Sequence, residues 1–229
     1  MSLAYIETRI AAACAAASRA REAVTLIAVS KVQPEARVRT VLAAGQRVFG
    51  ENRVQEAEGR WPPLRAESPD VRLHLIGPLQ SNKLARALEI FEAIHSLDRP
   101  SLAAKLAGAV AVRGACPTLF VQVNTGAEPQ KAAVLPDALD GFLAECRGAF
   151  DLPVAGLMCI PPAEDDPAPH FAMLAGMAER NGGAGSRPAR AAASFRRRRR
   201  GAPSAKLWAS VMRQISRPPA TTIIWARST

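Results

Sequence analysis

Val24-Thr-Leu-Ile-Ala-Val-Ser-Lys-Val-Gln-Pro-Glu-Ala-Arg-Val-Arg-Thr-Val-Leu-Ala-Ala-Gly45 changes its hydrophobic period halfway along. Residues 24–30 form a short apolar run ending at Lys31, the pattern of a strand buried on both faces. From Pro34 the pattern turns helical: Val38, Val41 and Leu42 share one face, and Gly45 supplies the stop. The same apolar strand pattern recurs along the chain. Residues 47–52, 71–77, 93–98, 118–124 and 154–160 read as five further strands. Helical periods follow most of them, at Leu84, Leu88 and Phe91, at Leu102, Leu106 and Val110, and at Leu139, Phe142, Leu143 and Cys146 after Pro136. Another surrounds residues 171–178. Six strand–helix units in series imply parallel strands, because each helix returns the chain to the starting edge. An open doubly wound sheet and a (β/α)8 barrel both satisfy that rule. The Gly-rich G-x-G-x-x-G turn of a dinucleotide-binding open sheet is missing. Polar residues instead end successive strands: Lys31, Asn52, His74 with Gly77, Ser96 with Asp98, and Asn124. Barrel enzymes carry their chemistry at those ends.

The chain has 229 residues, 48% apolar and 22% charged, which suits one large or two small globular domains and excludes wholesale disorder. No run of apolar residues is long enough to span a membrane. Glu7 and Arg9 interrupt the Ala-rich first twenty residues and argue against a secretory leader. Cys14, Cys116, Cys146 and Cys159 lie far apart, as reduced, buried thiols of a cytosolic protein do. The net charge of +10 is unevenly placed. Residues 181–229 hold 11 of the 30 Lys+Arg and none of the 20 Asp+Glu, so residues 1–180 carry 19 against 20, a balance of −1. The basic pI therefore describes a tail, not the main body.

Taken singly, the polar strand ends say little. A lysine at the end of an apolar strand is partly desolvated and so a better nucleophile toward a carbonyl, yet a rim lysine paired with a carboxylate has the same pattern. The block His74-Leu-Ile-Gly-Pro-Leu-Gln-Ser-Asn-Lys83 combines a glycine that permits close backbone approach with polar groups opening a helix. A helix cap beside a satisfied histidine explains it equally well. Asn52, after Gly50-Glu51, has an ordinary turn reading.

In order, the segments are specific. Ala28-Val-Ser-Lys31, Phe49-Gly-Glu-Asn-Arg-Val-Gln-Glu56, the 74–83 block, His95-Ser-Leu-Asp98, Val123-Asn124 with Glu128 and Lys131, and Gly156-Leu-Met-Cys-Ile-Pro161 resemble the pyridoxal-phosphate-binding homeostasis proteins. These are single-domain relatives of the alanine racemase barrel domain, and the resemblance runs over about residues 5–182. It implies a (β/α)8 TIM-type barrel over residues 1–182 that binds pyridoxal 5′-phosphate as a Schiff base on Lys31. It also implies that Asn52, His74, Ser96 and Asn124 face or border the cofactor pocket, and that Lys131 has a secondary, transient role near its entrance. The expected function is cytoplasmic vitamin B6 homeostasis by a monomer that binds the cofactor without turnover and meets pyridoxal-phosphate-requiring enzymes transiently. An amino-acid racemase or decarboxylase using the same lysine is the enzymatic alternative. It needs a second acid/base on the opposite face of the cofactor ring, which alanine racemase takes from a partner subunit's second domain.

After Asn181-Gly182 the resemblance stops. The family continues with strands 7 and 8, whose Ser-Met-Gly-Met-Ser-type and Arg-x-Gly-Thr/Ser loops hold the cofactor phosphate. Residues 183–229 instead run through Phe195 and Arg196 to Arg200 to an acid-free end. Their composition is that of a GC-rich gene read in a shifted frame. The expectations are that strands 7 and 8 are lost or replaced, that the tail is disordered or poorly packed, and that cofactor binding is impaired. A six-strand arc would leave two open edges, with residues 220–226 available as a makeshift strand. The arginine run could also bind nucleic acid in a salt-dependent way, although a sticky basic segment is the simpler reading.

Overall fold

The computed structural model describes residues 2–182, together with the backbone of 190–194 and 222–227. After α1 (Leu3–Ala16) the chain alternates as expected: β1 (Val24–Val29), α2 (Glu35–Ala43), β2 (Val48–Glu51), α3 (Val54–Glu67), β3 (Arg72–Leu75), α4 (Leu84–Ile90) and β4 (Ala93–Leu97). It continues with α5 (Pro100–Arg113), β5 (Thr118–Val123), α6 (Leu139–Gly148), β6 (Val154–Cys159) and α7 (Pro167–Asn181). Each strand pairs in parallel with the next, as strand–helix repeats require. The strands are one to three residues shorter than their apolar runs. In particular β1 stops at Val29, so Lys31 lies in the turn after the strand and not at its last position.

Two further strands come from the atypical tail. β7 (Arg190–Ser194) pairs with β6, and β8 (Thr222–Arg227) pairs with both β7 and β1, closing the barrel. Of the two expected outcomes, loss or replacement, the backbone takes replacement, and the two open edges of a six-strand arc are absent. The reason is the general one that an unpaired row of strand N–H and C=O groups is satisfied by whatever extended segment can reach it. Residues 183–189, 195–221 and 228–229, and with them the expected disorder of the tail and the arginine run, lie outside the described residues.

Alternation of side chains divides the core into two layers. Phe49, Leu73, Leu75, Ile94, Leu119, Val121 and Leu157 point outward and pack with helix residues such as Trp61, Leu88, Leu106 and Phe142. Ile27, Val29, Val48, Ile76, Phe120 and Met158 form a separate cluster that contains no helix residue, so it fills the barrel interior. The β4–β5 register shifts between Ile94 and Leu97, both of which belong to the outer layer. Two residues, His95 and Ser96, therefore fit where strict alternation allows one, the signature of a bulge that re-aims a side chain.

Gly77, just after β3, is where two loops touch. A Cβ there would lie 2.8 Å from Asn52 Cα and press on the Asn52 carbonyl oxygen. Backbone cannot yield as a flexible side chain can. Gly77→Ala should therefore cost about 1–3 kcal/mol or more, measured as a lower urea midpoint. An unchanged midpoint would contradict this close approach.

Candidate functional site at the C-terminal ends of the strands

Because all strands run in parallel, their C-terminal ends share one rim of the barrel. The rim carries Lys31, Asn52 and Asn124, with His74 and Ser96 each one residue inside the ends of β3 and β4. The structure thus brings the sequence candidates to one end of the fold, but it gives them different surroundings.

Lys31 occupies a tight turn. Gln33 N–H donates to Ser30 C=O at 3.0 Å, closing a turn over Lys31 and Val32. Val32 has φ of 53°, the left-handed conformation that this turn position normally assigns to glycine and that a β-branched side chain resists. Asn52 follows β2 immediately alongside, since Ser30 N–H donates to Gly50 C=O and the two strands run in register. Asn52 Oδ1 is buried and accepts no hydrogen bond among the described residues. A cleft of about 630 Å³ begins at Asn52 and is bordered by Glu56, Gln80 and Lys83.

His74 and His95 stand side by side, His74 Nδ1 3.0 Å from His95 Nε2, with His95 stacked on Phe120 at 4.4 Å. One nitrogen must donate and the other accept, so the contact requires imidazole kept neutral in at least one of the rings. Burial does this: it pushes His74 down to about 4, helped by the positive charge of Arg72, and holds His95 well below the usual histidine range, helped by His74. In the unfolded chain both rings titrate near their ordinary value of about 6.5. A folded-state value below the unfolded one means that protons favour the unfolded chain, so stability is full above about pH 6.5 and falls as pH drops toward 4. Urea unfolding between pH 7.5 and 4.5 should show this loss. The slope should be shallower in His74→Gln, and equal slopes would contradict the assignment.

Ser96 is fully buried, and its hydroxyl has no hydrogen-bond partner among the described residues. Asn124 has its amide engaged within its own loop. Its Nδ2 donates to Glu128 C=O at 2.8 Å and its Oδ1 accepts from Glu128 N–H at 3.1 Å, so both ends of the amide hold the following loop. Lys131 is also engaged: it ion-pairs with Glu128 and donates to Ile160 C=O at 3.2 Å. Cys159, beside this loop at the end of β6, is kept as a thiol, since burial pushes it up to about 12.

One cluster escaped the sequence reading. Glu51, the last residue of β2, is wholly buried, and its Oε1 accepts from Ser30 Oγ (2.8 Å), Arg60 Nη1 (2.8 Å) and Trp61 Nε1 (3.0 Å). Arg60 also donates to the carbonyls of Ser30 (2.7 Å) and Gln33 (2.9 Å). Arg60 and Trp61 lie on α3, a helix that contains Pro62 and Pro63. Consecutive prolines speak against a helix, so nothing in the sequence aligned Arg60 with the Lys31 turn. The available signal was an acidic residue ending a strand that is otherwise buried.

Comparison with known proteins agrees with this architecture. Residues 3–194 match the alanine racemase N-terminal domain family. The pyridoxal phosphate homeostasis protein of Pseudomonas aeruginosa is 38% identical over 174 residues, covering 75% of this chain and 74% of its own length. Its Escherichia coli counterpart is 33% identical over 178 residues, 77% and 76% of the two chains. Among solved structures, PipY of Synechococcus elongatus without pyridoxal phosphate superposes with a TM-score of 0.75 at 33% identity, covering 96% of this chain and 97% of that one. PipY with pyridoxal phosphate bound gives 0.71 at 31% identity over the same shares. A lysine/ornithine decarboxylase of Vibrio vulnificus, 16% identical with a TM-score of 0.70, shares the fold. With a barrel of eight parallel strands, a lysine turn after the first of them and relatives matched over three quarters of their length, the chain belongs to the pyridoxal phosphate homeostasis protein family, built on the alanine racemase N-terminal domain.

Proposed function

We propose that this chain binds pyridoxal 5′-phosphate covalently through Lys31 and serves vitamin B6 homeostasis as a carrier, not as an enzyme. The observation that carries the proposal is the placement of Lys31 in a constrained turn at the C-terminal rim of the barrel, next to Asn52. The bound cofactor supplies an aldehyde that condenses reversibly with a primary amine. The chain's own residues supply the rest. Lys31 offers the amine. Ser96 Oγ and Asn52 Oδ1, buried without hydrogen-bond partners among the described residues, are polar atoms that a polar ligand at this rim would satisfy. His74 borders the interior as a neutral ring. Asn124 shapes the rim by fixing the 124–128 loop, and Lys131 braces that loop against Ile160.

The non-catalytic part of the proposal has its own support. Turnover of an amino acid needs a base matched to neutral pH. The histidines of the interior are hydrogen-bonded to each other and depressed by burial, which makes them weak bases. The phosphate end is the weak part of the site. The loops that follow β7 and β8 lie outside the described residues, and the sequence there contains no Ser-x-Gly-x-Ser segment. Binding is therefore proposed to be weaker than in family members that carry such a segment, and any meeting with cofactor-requiring enzymes to be transient. Titration with pyridoxal 5′-phosphate, followed by visible absorption, tests the proposal: a saturable protein-dependent band, with no racemisation or decarboxylation of added amino acids, supports it. Absence of a saturable band, or turnover, would overturn it.

A further inference from the structure

The Glu51–Arg60 cluster touches nothing that the proposed binding reaction needs directly, yet it grips the one turn that reaction depends on. We propose that Glu51 and Arg60 are positioning residues that hold the Lys31 turn in its strained conformation and so set how the amine is presented. The inference rests on the assignment of Lys31 as the reactive amine.

The argument starts from the turn. Four residues, Ser30 to Gln33, are closed by a single backbone hydrogen bond, and Val32, itself 69% exposed, sits at positive φ. An exposed valine gains little from packing there, so the conformation has to be imposed from outside. Arg60 imposes it by donating from two nitrogens of its planar fork to the carbonyls on either side of Lys31 and Val32, those of Ser30 and Gln33. A guanidinium that only touched carbonyls could swing away. Glu51 prevents this: its Oε1 accepts from the same Nη1, is itself pinned by Trp61 Nε1, and accepts the Ser30 hydroxyl. Each end of the turn is thereby tied to β2 and α3, two elements whose own positions are fixed by the outer core through Phe49 and Trp61, ring centroids 4.9 Å apart. Glu51 is fully buried and the Arg60 side chain is 17% exposed, so the pair is shielded from solvent and salt. Its second oxygen, Oε2, has no hydrogen-bond partner among the described residues, so the orientation of the carboxylate is set by the three donors on Oε1 alone.

Losing the clasp should have two opposite effects on Lys31. A small reagent that attacks any free amine will find it more accessible. A ligand that needs the amine in one place will find it less often there. Trace acetylation with acetic anhydride, read by mass spectrometry against the exposed Lys105 as reference, measures the first effect on the free protein. Borohydride trapping of added pyridoxal 5′-phosphate at Lys31 measures the second. In Glu51→Gln and Arg60→Met, Lys31 acetylation should rise by about threefold or more, while Lys83 and Lys131, both partly buried, stay as in the unmodified chain. Trapping at Lys31 should fall by about tenfold. Arg60→Lys keeps the charge but not the fork and should lie between. Circular dichroism confirms that each variant is folded at the labelling temperature. Unchanged Lys31 acetylation, or a parallel rise at Lys31, Lys83 and Lys131, would overturn the inference. If the unmodified chain traps no cofactor at Lys31, the functional assignment beneath it fails instead, and the acetylation result still decides whether the clasp holds the turn.

Discussion

Replacing residues 183–229 with the C-terminal segment of the Pseudomonas aeruginosa relative should tighten pyridoxal 5′-phosphate binding by about 10²–10⁴-fold. The relative's match to this chain covers 74% of its length, and the exchanged residues lie beyond Gly182, where the family resemblance of this sequence stops. The tail contributes backbone strands that close the barrel, but strand pairing is a property of the main chain and makes few demands on sequence. Phosphate binding makes many. It needs hydroxyls and backbone N–H groups at helix or loop starts, arranged around a dianion. Each charge-assisted hydrogen bond of this kind contributes roughly 1.5–3 kcal/mol, and restoring two gives the expected range. Isothermal titration of the chimera and the original chain in one buffer measures it. Equal affinities would mean that the tail already supplies a phosphate site, or that the rim does not use one.

The second large effect concerns the amine itself. Lys31→Ala should abolish the saturable visible band and the borohydride-stable adduct, while leaving stability within about 0.5 kcal/mol, since the residue sits in a surface turn. The exchange removes the only primary amine in the turn and leaves the Arg60 clasp intact, because that clasp acts on the carbonyls of Ser30 and Gln33. Lys131 is engaged elsewhere, by its ion pair with Glu128 and its bond to Ile160. An undiminished band in Lys31→Ala would remove the basis of the assignment.

Why the sequence revealed the barrel is clear from β1 and α2. Hydrophobic period is a local property, and the change from an apolar run to helical spacing over residues 24–45 is visible without any tertiary information. Gly77 was also readable, because a glycine between a strand and polar helix-opening residues has few other uses, and the structure shows Asn52 backbone against it. What stayed hidden was long-range or contrary to propensity. Helix α3 contains Pro62-Pro63, and its buried Trp61 and Leu64 stabilise it through packing that no propensity records. The Glu51–Arg60–Ser30 cluster joins three elements and depends on that helix. Asn124 shows a contact that the sequence alone does not reveal. Its position at a strand end is as expected, but its amide is occupied by Glu128, a loop-holding role that spacing alone cannot distinguish from ligand contact. Of the tail strands, β8 falls almost where residues 220–226 were available as a makeshift strand, whereas β7 was hidden, because its pairing is decided by the edge it meets, β6, and not by its own composition.

The most direct measurement is the location of the adduct. After incubation with pyridoxal 5′-phosphate and reduction with borohydride, peptide mass spectrometry should find the pyridoxyl mass on the peptide containing Lys31 and, at substoichiometric cofactor, on no other. Label distributed over Lys83, Lys105 and Lys131 with Lys31 unmodified would contradict the account at its foundation.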